Sequence, residues 1–268
     1  MASIEHDLFI EWMKWLQSHF PSHKFTYDGI VCVEEWQTTP TKILLVLKDY
    51  NDSSQSDRHL PLDKFNLEDR EVVKANVPNL RYHLANNISS KRNWRTWNNA
   101  ARWVYGLLNT RLGYYPSFTE VNPQGNYRHR TTNMRKVAVL DLKKSPGRSS
   151  CNKSMLDTYF DLHPEAYSFL ARQISLYGYL DFIVCCGDGV FDHLMQIMQN
   201  DIFQKSHYVV MYKGKNYVIT VSGTIIIDYR HPLLLHKGVS SKLAYTQLMD
   251  IVQSALKEKA NKMNISHS

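Results

Sequence analysis

Four stretches of the chain are nearly continuous in apolar residues and too short for ordinary helices. They are 42–47 (KILLVL), 137–142 (VAVLDL), 179–187 (YLDFIVCCG) and 223–232 (GTIIIDYRHP). A strand with one wet face alternates apolar and polar residues, whereas an unbroken run implies a strand covered on both faces. Helical periodicity occupies the intervals, notably 94–108, 164–177 and 190–199. The alternation predicts an α/β fold: a three-layer helix–sheet–helix sandwich around a four-stranded, largely parallel sheet. Two β-rich runs flanking Lys213-Gly214-Lys215, within 207–221, predict an additional β-hairpin at the sheet margin.

Ile4, Leu8, Phe9, Trp12, Trp15, Leu16 and Phe20 form a helical stripe, so residues 1–20 read as an N-terminal helix stopped by Pro21. Leu243, Leu248, Ile251, Val252 and Leu256 mark a last helix over 240–259, with 260–268 expected as a flexible tail. A length of 268 residues with 43% hydrophobic content suits one domain over 1–268 with a substantial core. The formal charge of +7 suits a polyanionic partner. Cys32, Cys151, Cys185 and Cys186 make no metal-binding pair, so no metal and no cofactor are expected. Acids interrupt the apolar residues of the N-terminus, and no run approaches the length of a membrane span. The expectation is therefore a cytoplasmic protein with no membrane association and no obligate protein partner.

Open parallel sheets bind ligands beyond the carboxyl ends of their strands. The first run there delivers Lys48, Asp49, Tyr50, Asn51 and Asp52, and the second delivers Asp141, Lys143 and Lys144. The third ends at Gly187, and the fourth leads into Arg230, His231 and Pro232. Carboxylates and a histidine therefore converge on one edge. Lys143, Lys144 and Arg148 add positive charge suited to phosphate. Trp94, Trp97, Ala101, Val104 and Leu108 fit a core face better than a base-stacking platform. The segment 126–136 (NYRHRTTNMRK) reads either as a solvated turn or as a DNA-contacting loop.

An acid-bearing segment after the first strand, LDLKKSPG, the IVCCG strand and a strand followed by HPLLL occur in an order that resembles the uracil-DNA glycosylase superfamily over about 42–245. The resemblance implies a four-stranded parallel sheet between helices and a base-excising activity on DNA. LKDYND is similar to the superfamily's Gly-Gln-Asp-Pro-Tyr-His loop, so Asp49 would be the carboxylate that assists base removal. His231 would hydrogen-bond the departing base. Tyr50 and Asn51 would line the base site, and Leu233, Leu234 and Leu235, with Lys237 beside them, would wedge into the minor groove.

Two departures bear on substrate. Leu47 and Tyr50 replace the loop's glycine and proline, which alters the shape of the pocket. Asp141 stands where uracil-excising relatives carry asparagine, and an ionised aspartate only accepts hydrogen bonds. That favours a base with an exocyclic amine. The expected activity is a monofunctional DNA glycosylase acting on a flipped, modified cytosine in double-stranded DNA, such as glucosylated hydroxymethylcytosine in phage DNA. Excision of uracil or another deaminated base is one alternative, and a silent nucleic-acid-binding module of the same fold is another. A hydrolase of small phosphorylated molecules is disfavoured because the chain has no Walker loop.

Overall fold

The computed structural model describes residues 5–19, 25–51, 80–86, 95–147, 151–199, 210–233 and 238–265. The first half contains α1 (His6–His19), β1 (Gly29–Ile30), α2 (Val33–Thr38), β2 (Ile43–Asn51), α3 (Leu80–Asn86), α4 (Arg95–Leu108), α5 (Phe118–Val121) and α6 (Tyr127–Met134). The second half contains β3 (Ala138–Gly147), α7 (Lys153–Leu162), α8 (Glu165–Ser175), β4 (Phe182–Cys186), α9 (Val190–Met198), β5 (Val210–Lys213), β6 (Tyr217–Thr220), β7 (Ile225–Tyr229) and α10 (Ser241–Ile265).

The strands form one seven-stranded sheet in the order β1-β3-β2-β4-β7-β6-β5. Its middle, β3-β2-β4-β7, is parallel and is built from the four apolar runs. The sheet is nevertheless wider than the four strands expected. Two-residue β1 joins β3 antiparallel through Gly29↔Val139 and Ile30↔Ala138. A strand this short leaves no periodicity to read. At the other side the hairpin of β5 and β6 pairs through β6 with β7, so it extends the sheet.

Alternation along the strands divides the core into two layers. Leu44, Val46, Leu140 and Ile183 pack with α1, α7, α8 and α9. Ile43, Leu45, Val139 and Val184 pack with α3, α4 and α10. Trp12 in the first layer and Trp103 in the second are at most 1% exposed. Trp97 and Val104 are also buried in the second layer, so this part of the tryptophan stripe is core. Trp94 lies outside the described residues.

Two boundaries differ from expectation. β2 does not stop at Leu47: it continues to Asn51 because β3 runs beside it to Gly147, through Asp49↔Lys143 and Asn51↔Gly147. The chain has no proline or glycine after Gly238, and α10 continues to Ile265 through the segment expected to be a flexible tail. The Lys259 ammonium ties this helix to the sheet by donating to the Gly223 carbonyl at 2.6 Å. Among the described residues no helix is long and apolar enough to cross a membrane.

Candidate functional site

Strands β3 and β4 lie on opposite sides of β2, so successive connections depart in opposite directions around it. This arrangement leaves a crevice at the carboxyl ends of β2 and β4. Asp49 stands at that edge on a strand rather than in a loop, and its carboxylate lies 4.0 Å from the Lys143 ammonium. Burial raises the Asp49 carboxyl above its ordinary value, against the pull of Lys143 and Lys48. Its ionised form is therefore poorly solvated and available to a cationic partner.

At this edge Gly187 follows β4, and its N–H donates to the Tyr229 carbonyl at 2.7 Å. Its φ of +119° is one that side-chain-bearing residues rarely adopt. A Cβ at this position would lie 3.4 Å from Lys48 Cε and 3.6 Å from His231 Cβ. Lys48 from β2 and His231 from the segment after β7 therefore flank Gly187 at contact distance, and it is the positive φ that favours glycine here. By strand order, Asp49 and His231 are separated by two interstrand spacings, roughly 10 Å of backbone.

The His231 ring is fixed by its own turn, since the Leu233 N–H donates to Nδ1 at 3.2 Å. A neutral ring with Nδ1 accepting carries its proton on Nε2, which is then a donor. Burial first and the Lys48 charge second bring His231 down to about 4, so the neutral ring prevails at physiological pH. The turn is clamped from α4, where the Asn99 side-chain amide donates to the Pro232 carbonyl at 2.7 Å. Arg102 in turn donates to Asn99 Oδ1 at 2.9 Å. Asn99 escaped the sequence reading because it sits on a helix remote in sequence, and its polarity amid an apolar stripe was the available clue.

Asp141 pairs in register with Leu47, one pleat deeper than Asp49, and is 1% exposed. Its Oδ2 makes no hydrogen bond among the described residues. Burial first, then the Asp28 charge, holds this carboxyl well above the ordinary value, with Lys144 opposing and Asp49 reinforcing the shift. This weighs against the ionised form expected of Asp141. In its neutral form the acid both donates and accepts.

Beneath Asp141 lies a buried polar network. Asp28 accepts from the Asp141 backbone N–H at 2.6 Å, from the Lys144 ammonium and from Gln173 at 2.9 Å. Glu5 accepts from Tyr177 at 2.6 Å and pairs with Arg81 at 3.3 Å. The DNA-contact role expected of Lys144 is therefore corrected. Its side chain is 0% exposed, faces Asp28 and lies 5.1 Å from the Trp12 ring centre, where no phosphate can reach it.

The remaining expected site residues divide by placement. Lys143 stays near the edge and is partly exposed, but its nearest charged partner is Asp49. Leu233 is half-buried beside His231. The side chains of Tyr50 and Asn51, and the whole of Arg148, Leu234, Leu235 and Lys237, lie outside the described residues. The 126–136 segment contains helix α6, and its Arg130 is 2% exposed and bonded to Asn98, so this arginine is structural. Cys151 is near enough to Asp49 to feel its charge, yet burial and that charge push its thiol up to about 11 and keep it protonated. Comparison of the chain with protein-family models, curated proteins and solved structures finds no match.

Proposed function

We propose that this chain is a monofunctional DNA glycosylase of the uracil-DNA glycosylase type, which flips one base from duplex DNA and hydrolyses its N-glycosidic bond. The observation that carries the reading is the separation of Asp49 and His231 across the Gly187 notch at the sheet's switch point. Fission of the bond leaves positive charge on the sugar and sends the electron pair into the base. The Asp49 carboxylate stabilises the sugar cation and orients water toward C1′, while His231 Nε2–H donates to the base as it becomes anionic. Water supplies the hydroxyl at C1′, its proton leaves to solvent or base, and an abasic site remains.

The proposed substrate is a modified cytosine, such as glucosylated hydroxymethylcytosine. A neutral Asp141 would suit it were a flipped base to reach this buried carboxyl, with the acid O–H donating to N3 and the carbonyl oxygen accepting from the N4 amine. The same acid with its two oxygens exchanged also matches N3–H and O4 of uracil. The raised Asp141 carboxyl thus favours uracil or deaminated-base excision as the second reading.

The test is incubation with duplexes containing uracil, hydroxymethylcytosine or glucosylated hydroxymethylcytosine, followed by measurement of free base and alkali-labile sites. Release of the cytosine-type base supports the first reading. Release of uracil alone replaces it with the second. Binding to every duplex without release of any base leaves a silent DNA-binding module.

A further inference from the structure

The Lys48 ammonium has no evident role in holding the fold together. Among the described residues no hydrogen bond or ion pair engages it, whereas Lys144 is consumed by Asp28 and Lys143 lies against Asp49. Alternation sends Lys48 to the opposite side of β2 from Asp49, but its Cε reaches the space above Gly187, where His231 also converges. Its charge is felt at Asp49, His231 and Cys151. Lys48 Cε and His231 Cβ both lie within contact distance of the Cβ position of Gly187, so the two side chains meet over this residue. We propose that Lys48 is a catalytic residue, whose ammonium stabilises the negative charge that develops on the departing base beside His231.

The role rests on the glycosylase reading and extends it. A neutral imidazole offers the base one hydrogen bond but no net charge, and a base expelled as an anion needs more. A cation in a water-poor crevice supplies that stabilisation only as the bond breaks, which lowers the barrier without tightening substrate binding. The electron pair of the C1′–N bond goes to the base ring. Lys48 keeps its proton and forms no covalent bond.

The test uses the full chain and its Lys48→Met and Lys48→Arg variants, in single-turnover base release at saturating enzyme. Each is assayed on the duplex whose base the wild type releases, with duplex affinity measured alongside. The expected result is a loss of about 10²- to 10³-fold for Lys48→Met with duplex affinity changed little, and substantial recovery in Lys48→Arg. A charge that merely anchors phosphate would instead weaken duplex binding and leave the saturated rate unchanged, overturning the role. A borohydride-trapped adduct at Lys48 would overturn it in favour of a Schiff-base nucleophile. Base release by Lys48→Met at the wild-type rate refutes the role alone, whereas a wild-type protein that releases no base refutes the glycosylase reading and this role with it.

Discussion

The side chain of Lys144 illustrates how one residue's surroundings decide its work. It compensates Asp28 in a buried site next to Asp141, whose carboxyl burial and the Asp28 charge raise. Removing one member of a buried pair leaves an uncompensated charge, so Lys144→Met should lower unfolding stability by about 3–5 kcal/mol in urea titration. A phosphate-binding surface lysine would change DNA affinity and leave stability untouched. His231 carries a second residue-scale prediction. Its neutral form is favoured by the fold, with protonation moved from 6.5 to about 4, so its contribution is complete above pH 6.5 and is lost as pH falls through 4. Over that window the wild type should lose up to about 3 kcal/mol more stability than His231→Gln, read as paired denaturation curves at several pH values.

At the scale of elements, β2 shows what periodicity can and cannot deliver. The apolar run 42–47 marks a buried strand, but its extension through Lys48 to Asn51 depends on pairing with β3 from almost a hundred positions away. Polar residues continue a strand when a neighbour supplies the ladder, and the sequence of β2 alone holds no record of that. The four central strands were legible as four apolar runs and the hairpin as a marginal addition, while the order β3-β2-β4-β7 and the two-residue β1 were not. The candidates Asp49 and His231 stood out because each comes at the end of an apolar run, although Asp49 proves to lie within β2 while His231 follows β7. Asn99 was not, since its use depends on α4 crossing the turn after β7. Asn99→Leu should remove the donor to Pro232 and loosen the His231 turn. We expect a cost of about 1–3 kcal/mol in stability and a fall in base-release rate larger than any change in duplex affinity. Equal losses in rate and affinity would place Asn99 outside this positioning role.

The whole molecule brings these elements together by topology. A parallel centre gathers strand ends from four distant parts of the chain at one edge, and helices on both faces keep the crevice above Gly187 backed by core. The formal charge of +7 favours approach to a polyanion without choosing a base. In the proposed function the choice of base falls to Asp141, whose raised carboxyl follows from burial and from Asp28, neither of which is visible in the LDLKK sequence. The central claim is that Asp49 and His231 cooperate in breaking a glycosidic bond. Its most direct measurement is single-turnover base release by wild type and Asp49→Asn on the responsive duplex, with duplex affinity determined alongside. The account predicts a rate lowered by about 10²- to 10⁴-fold with binding retained. An Asp49→Asn variant that releases base at the wild-type rate would contradict it.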